Sequence, residues 1–319
     1  MLTSDKTPAF LCDRSQWLRT IARAALALGV TSAGSASLLR AQPALELQSD
    51  FGLLDGSVAA MKGVAVGVSP TLRIFDLTHQ IPAYDIWAAA YRLHQTVAYW
   101  PRGTVFVSIV DPGVGTDRKS VVVRTSSGQY VVTPDNGTLT FLAESPGIAE
   151  VREIDERVNR LRGSERSHTF HGRDVYAYTG ARLAAGVITF EKVGPRRTVS
   201  QLVRLPYSRP SFTDGVAVGA IVIHDLPYGN LWTNIDDRTF EKLGSVATAR
   251  FDVRLFRGDS LAWRGVVPFV KSFGEVPPGQ PLLYLNSLLD VALALNMGDF
   301  ARRFGIGAGG EWRIEIRAP

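Results

Sequence analysis

Asp111 and Arg118 bracket the glycine-containing loop of "VDPGVGTDRKS", directly after the apolar run "TVFVSIV". A β-branched run of that length reads as a buried strand. Side chains just past the carboxyl end of such a strand face the ligand crevice of an α/β sheet. Asp111 stands where it would accept a proton or cap a turn, and residue type alone leaves both readings open. "HTFHGRD" brings His168, His171 and Asp174 at a spacing open to a metal site or to a histidine capping the following helix. That spacing fits one helical face poorly if Gly172 begins the helix. No second Cys or His cluster completes a ligand set, so no metal is expected. "HDLPYGNLWTN", from His224, mixes turn residues with Tyr228 and Trp232. Such rings stack on a purine or attract a cation, or else they are core. With Asp50 in "QSDFG" and Asn136 in "TPDNG" there are five polar islands, each expected at a strand end. That distribution is the pattern of a ligand crevice in an open α/β sheet.

The elements that must position these islands follow a regular order from Leu45. "LELQSDFG" reads as a strand, "DGSVAAMKGVAVGV" as a helix and "TLRIFDLT" as a strand. "DIWAAAYRLHQTVAYW" reads as an amphipathic helix stopped by Pro101. "TVFVSIV" is the next strand, and "SVVVRTSSGQYVVTPDNG" is two strands joined by a Ser-Ser-Gly turn. "IAEVREID" is a further strand, and "GRDVYAYTGARLAAG" a helix closed by Gly186. Alternation of this kind argues an α/β domain with a largely parallel sheet over residues 45–205, ending in a Pro- and Arg-rich linker. Residues 206–319 read mostly as short alternating strands, "VAVGAIVIHD", "ARFDVRLF", "LAWRGVVPFV", "PLLYLNS" and "EWRIEIRAP", and imply a β-barrel domain.

The chain has 319 residues, of which 45% are hydrophobic and 20% charged, enough to bury two cores. No apolar run approaches the ~18 residues that span a bilayer. The formal charge is +5, most of it in the first 45 residues, and no basic run interleaved with aromatics appears. A nucleic-acid partner is therefore not expected. The single cysteine, Cys12, lies in the same N-terminal stretch. Residues 1–44 carry basic residues, then "AALALGV", then small residues, and resemble a signal peptide directing export. The alternatives are a disordered Ala/Arg-rich leader or a start codon assigned too early, on a cytoplasmic protein.

Read in order, "SDFG", "FDLTHQIPAYDI", "GTVFVSIVDPGVGTDRKS", "TPDNGTLT", "FHGRDVYA", "YGNLWTNI" and "YLNS" resemble the S-adenosylmethionine hydroxide adenosyltransferases, relatives of the chlorinase and fluorinase enzymes. The resemblance runs from about residue 46 to the C-terminus. It implies an N-terminal α/β domain, a C-terminal β-barrel domain and a homotrimer with sites between subunits. It also implies S-adenosyl-L-methionine as substrate, adenosine and L-methionine as products, and no cofactor. Asp50 would bind the ribose hydroxyls, Tyr84 would pack on the ligand, and Asn136 would lie near the nucleoside. Asp225, Tyr228, Asn230 and Trp232 of a neighbouring subunit would hold adenine and the methionine end. Ser287 and Asn296 match positions near the amino-acid carboxylate and the adenine edge. After Ser287 the chain departs from the family, reading Leu-Leu-Asp. Asp111, Arg118 and His171 match the set found in the water-using members.

The chemistry agrees with that set. The sulfonium already makes C5′ electrophilic, so a site need only place a nucleophile in line and remove its proton. Water must lose a proton, which Asp111 or His171 would accept, with Arg118 keeping Asp111 ionised. A halide has no proton to lose and is repelled by a carboxylate, by roughly 4 kcal/mol at 4 Å and an effective dielectric near 20. Space beside His171, opened by Gly172, would by itself also suit a halide. A halide-using adenosyltransferase and a non-catalytic S-adenosylmethionine- or adenosine-binding protein are the two alternatives to hydrolysis.

Overall fold

The computed structural model describes residues 44–244 and 250–318. The leader reading lies outside the described residues, except that Ala44 already opens the first strand. Among the described residues, no helix is long and apolar enough to cross a membrane.

The first sheet contains β1 (Ala44–Ser49), β2 (Arg73–Thr78), β3 (Val105–Ile109), β4 (Ser120–Thr125), β5 (Tyr130–Pro134), β6 (Ile148–Glu153) and β7 (Arg196–Arg197), in the order β2-β1-β3-β5-β4-β6-β7. β2, β1, β3 and β5 run parallel, and β4, β6 and β7 extend the sheet antiparallel. The chain passes from β1 through α1 (Ser57–Val68) to β2 on one side. It returns through α2 (Ile86–Val97) to β3 on the other side of β1. The carboxyl ends of β1 and β3 thus flank the point where strand order reverses, the place where ligands bind in open α/β sheets. Ser49 is in register with Ile109, so Asp50 and Asp111 emerge on neighbouring strands.

Alternation along β1 separates the two faces. Leu45 and Leu47 pack with Val58, Met61 and Ala65 of α1 and with Val175, Tyr176 and Ala181. Gln48 faces the other way, and its Nε2 donates to the Ala89 carbonyl of α2 at 3.2 Å. Asp85 caps α2 by accepting from the Ala88 N–H, and Leu93 and Val97 pack on Phe106, Val123 and Val131. Each apolar run buries its residues as its pattern dictates: all five residues of β3 are buried. The "GRDVYAYTGARLA" segment opens as one wide turn, Gly172–Ala177, before α3 (Tyr178–Ala184), and Gly186 ends it at φ +70°.

The second sheet is antiparallel: β8 (Ser211–Thr213), β9 (Val216–Asp225), β10 (Asn230–Asp236), β11 (Arg250–Arg257), β12 (Ser260–Pro268), β13 (Pro281–Leu285), β14 (Asp290–Leu295) and β15 (Trp312–Arg317). Its order is β12-β11-β15-β9-β10-β14-β13, with β8 on β9, and a Phe269–Leu283 bridge brings the two edges almost to closure. Ile221, Leu231, Phe251, Leu293 and Ile314 belong to its interior. Short helices α4 (Asp237–Glu241) and α5 (Phe300–Phe304) follow β10 and β14. An α/β sheet followed by a barrel-like β sheet is the fold class expected. Four strands escaped the sequence reading, among them the short β7 in the linker and β8. β10 is rich in Asn and Asp and reads as loop, while "DVALAL" of β14 is buried almost throughout and has no alternation to signal a strand.

Candidate active site

Arg118 grips Asp111 from one side. Its Nε donates to Asp111 Oδ1 at 2.9 Å and Oδ2 at 3.0 Å, and its Nη2 donates to Oδ2 at 2.5 Å. Both side chains are largely buried. Asn136 fixes the strand end by donating from Nδ2 to the Val110 carbonyl at 2.8 Å, and its Oδ1 accepts from the Thr138 hydroxyl. The loop between them needs glycine at one point. Gly115 has φ +79°, and a Cβ there would stand 3.0 Å from the His168 carbonyl.

His171 completes the cage, and its geometry fixes its proton. Arg118 Nη2 lies 3.0 Å from His171 Nδ1. A guanidinium nitrogen can only donate, so Nδ1 accepts and the neutral ring carries its hydrogen on Nε2. Nε2 is buried and has no partner in the protein. Burial pushes the His171 pKa below the ordinary histidine value; Arg118 and Arg160 act in the same direction, and Glu156 and Asp111 oppose it. The uncharged form is the one this site holds. His171 therefore offers a ligand a hydrogen-bond donor, and Asp111 is the residue of the pair able to accept a proton. The His171 side chain does not cap the helix. His168 is exposed and takes no part in the cage. Among the described residues no group of three His, Cys, Asp or Glu side chains is placed to hold a metal.

Asp50, Tyr84, Asp111 and His171 line one cavity of about 230 Å³, with Phe51, Val114 and Phe170 among its walls. Asp50 Oδ2 accepts from the Tyr84 N–H at 2.9 Å, and Tyr84 holds φ +68° with its ring 72% exposed. The space beside Gly172 is not open. A Cβ there would meet the Phe51 ring at 3.1 Å and Phe170 at 3.4 Å, so Gly172 serves close packing of two rings. Behind Asp50, Ser49 Oγ lies 2.7 Å from His79 Nδ1, and His79 Nε2 lies 3.1 Å from Asp76 Oδ1. This Ser-His-Asp row is no nucleophile: Ser49 is fully buried and also accepts the Phe51 N–H.

A second cavity, about 540 Å³, gathers Asp225, Tyr228, Asn230 and Asn296, with Phe273, Met297 and Asp299. Asn230 Nδ2 donates to Asp225 Oδ2 at 3.1 Å, and Asn296 Nδ2 donates to the Val276 carbonyl at 2.7 Å. Tyr228 is 64% exposed. The two cavities share no lining residue. Three sequence-picked residues lie elsewhere. Trp232 is packed in an apolar cluster with Tyr91, Tyr284 and Phe141, the core alternative for that ring. Ser287 lines a third space, of about 820 Å³, that also reaches Asp225 and Arg92. Asn136 braces the Val110 carbonyl and lines neither cavity.

Sequence reasoning missed the layer behind the cage. Tyr176, fully buried on the wide turn, places its Oη 3.4 Å from Asp111 Oδ2 and 3.1 Å from Ser120 Oγ. Arg118 lies over its ring at 5.5 Å. The five-residue step from His171 to Tyr176 spans a turn of i to i+5 width, and such turns are frequent at functional sites.

Two family models match this chain. Residues 45–194 match the SAM hydroxide adenosyltransferase N-terminal domain, and residues 219–313 match the C-terminal domain of the same family. The chain belongs to this family. It is 35% identical over 275 residues to an (R)-S-adenosyl-L-methionine hydrolase of Salinispora tropica, covering 85% of this chain and 97% of the relative. It is 30% identical over 291 residues to a fluorinase of Actinoplanes sp., covering 84% and 95%. The crystal structure of an uncharacterized conserved protein from Thermotoga maritima superposes with a TM-score of 0.78 at 33% identity, covering 86% of this chain and 99% of that one.

Proposed function

We propose that this chain hydrolyses S-adenosyl-L-methionine to adenosine and L-methionine. Water attacks C5′ in line with the departing sulfur, and the C–S electron pair leaves on a neutral thioether. The observation that carries the reading is the Asp111–Arg118–His171 cage, whose acceptor Asp111 and donor His171 both line the same cavity. Asp111 Oδ1 takes a single bond from Arg118 and keeps a lone pair for a water proton. The Nε2–H of His171 orients that water by donating to its oxygen. Proton removal by a placed base contributes about 10²–10⁴-fold. The substrate is a cation, and Asp50, Asp111 and Asp225 give both clusters acidic groups that suit it.

The substrate sits with its ribose on Asp50 and its reacting carbon toward Asp111, Tyr84 packing against it. A cavity of 230 Å³ falls below the 300 Å³ or so of a usual ligand pocket, so it needs another wall. That wall is the Asp225–Tyr228–Asn230–Asn296 cluster of a neighbouring subunit in a homotrimer, which would cover the exposed rings of Tyr84 and Tyr228. No metal or other cofactor is assigned a role, since a sulfonium leaving group needs no Lewis acid.

The test is chromatography of S-adenosyl-L-methionine incubated with the protein, with and without chloride or fluoride. Adenosine and methionine in equal amounts, independent of halide, are expected. A 5′-halo-adenosine would replace this reading with halide transfer, and unchanged ligand would replace it with binding alone.

A further inference from the structure

Hydrolysis of a sulfonium cation by water yields two neutral products and one proton, and that proton needs a way out. On the cavity side, the bound nucleoside lies over Asp111. Leaving the proton on Asp111 would also break its ion pair with Arg118. Behind Asp111 the protein offers a row of hydroxyls. Tyr176 Oη stands 3.4 Å from Asp111 Oδ2, Ser120 Oγ 3.1 Å from Tyr176 Oη, and Glu156 Oε1 3.4 Å from Ser120 Oγ. None of these three residues lines the cavity that holds Asp111, so the row leads away from the substrate. Asp111 has 6% of its side chain exposed and Glu156 has 35%, so the row ends at a carboxylate that water reaches.

At rest Tyr176 Oη donates to the ionised Asp111 Oδ2, and its hydroxyl hydrogen swings to Ser120 once Asp111 carries the proton. Arg118 Nη1 donates to Ser120 Oγ at 2.9 Å, which leaves the Ser120 hydroxyl hydrogen free to point at Glu156. Glu156 is held in place by Arg160 Nη1 at 2.8 Å, and Arg160 also donates to the Ser167 carbonyl in the segment leading to His171. Contacts of this length are ordinary for catalytic groups before substrate draws the site together. Burial holds the Tyr176 phenol above its usual value, so it passes a proton on without resting as a phenolate.

We propose that Tyr176, Ser120 and Glu156 form the outlet for the reaction proton. The inference rests on the hydrolase reading above. As the water O–C5′ bond forms and the C5′–S pair leaves on sulfur, the water proton moves to Asp111. Asp111 hands a proton to Tyr176 Oη, whose own proton goes to Ser120 Oγ, whose own goes to Glu156 and then to solvent. Each hydroxyl ends neutral and one proton is released per turnover. The three are positioning and relay residues, since none touches the substrate.

Single-turnover kinetics in mixtures of light and heavy water test this, because a relay moves several protons in one step. Wild type is expected to give a bowed dependence of rate on deuterium fraction. Tyr176→Phe is expected to lower kcat about 10-fold, leave KM within 2-fold and make that dependence a straight line. Ser120→Ala, which does not touch Asp111, should show the same pattern and keeps the test open should the tyrosine variant fold poorly. Glu156→Gln should do likewise from the far end. A wild-type rate in Tyr176→Phe and Ser120→Ala, or a lowered rate with the bowed dependence intact, overturns the outlet and leaves Tyr176 as packing. Failure of the hydrolase reading itself would show separately, as wild-type protein that forms no adenosine.

Discussion

The two clusters that hold most of the sequence-picked residues are built to different standards. Around Asp111 the side chains are largely buried and partnered: Arg118 on the carboxylate, His171 on Arg118, Tyr176 and Ser120 behind them. Around Asp225, Asn230 is fixed on the carboxylate, and Tyr228 and Met297 stand largely in solvent. The first cluster lies at the carboxyl ends of parallel strands, whose register leaves neighbouring side chains little freedom. The second occupies the turn after β9 and the ends of β10 and β14 in the antiparallel sheet. A group that must act on a transition state benefits from being held before substrate arrives. A surface that recognises a nucleoside tolerates looseness if a second copy closes over it. On the proposed reading, chemistry is prebuilt in one region and recognition is left open in the other.

The contrast predicts that the largest loss comes from the first region. Asp111→Asn keeps the shape and two of the contacts to Arg118 but cannot take a proton. It should lower kcat by about 10²–10⁴-fold while KM moves little. Steady-state kinetics with product quantification decides this, and a kcat near wild type would remove Asp111 as the base.

A mixing experiment breaks or sharpens the idea that the regions meet across subunits. Asp111→Asn and Asn230→Ala should each be nearly inactive alone. After subunit exchange in equal amounts, about a quarter of the pockets in a cyclic trimer would draw one intact half from each chain. Activity should return to about that fraction of wild type. Exchange verified by mass with no return of activity would place both halves of the site in one subunit.

The same contrast governs what was legible in the sequence. The strands that end in Asp50 and Asp111 announce themselves, because apolar runs with a polar end leave one reading. Asp50 and Asp111 meet because β1 and β3 are neighbours, which strand-helix alternation makes the economical arrangement. Trp232 was harder: on β10 its ring turns into the cluster with Tyr91 and Phe141, and nothing local distinguishes a core tryptophan from a stacking one. Asn136 looked like a ligand group and is bonded to the backbone at Val110. Tyr176 and Ser120 lie inside two of the family motifs and Glu156 in none, and nothing in their residue types or spacing links the three. They come from a wide turn, a strand start and a loop, and only the folded chain brings them to one carboxylate.

A moderate effect is expected in the open region. Tyr228→Ala removes an exposed ring that makes no ring contact in the single chain, so the fold should be indifferent to it. If the ring closes over the nucleoside, KM should rise about 10-fold, on the scale of about 1–3 kcal/mol for a base stacked on an aromatic ring, with kcat within a few-fold. An unchanged KM would assign recognition to Asp225 and Asn230 without the ring.

The smallest effect concerns pH and separates donor from base at His171. Burial lowers its pKa from the ordinary value of about 6.5, so the neutral ring persists below that pH. Activity should therefore hold through neutrality and fall only as the pH drops through the lowered value, where an imidazolium could no longer accept from Arg118. Stability has the same sign. The unfolded chain takes up protons near the ordinary value while the folded one resists, so this contribution is complete above it and is lost as the pH falls through the lowered pKa. His79, His94 and His224 are lowered too, so the melting temperature should decline across the same acid window. Glu46 and Asp290, buried and raised to about 7, act oppositely, their stabilisation being lost as the pH rises through 7. His171→Gln isolates the cage from these background terms. Its carbonyl can accept from Arg118 and its amide can donate into the cavity, but it has no proton to gain or lose. It should retain activity within about 10-fold of wild type and lose the His171 share of the acid limb in kcat/KM. If His171 were the base, the glutamine variant would be as inactive as Asp111→Asn, and the roles drawn from the Arg118–Nδ1 contact would have to be exchanged.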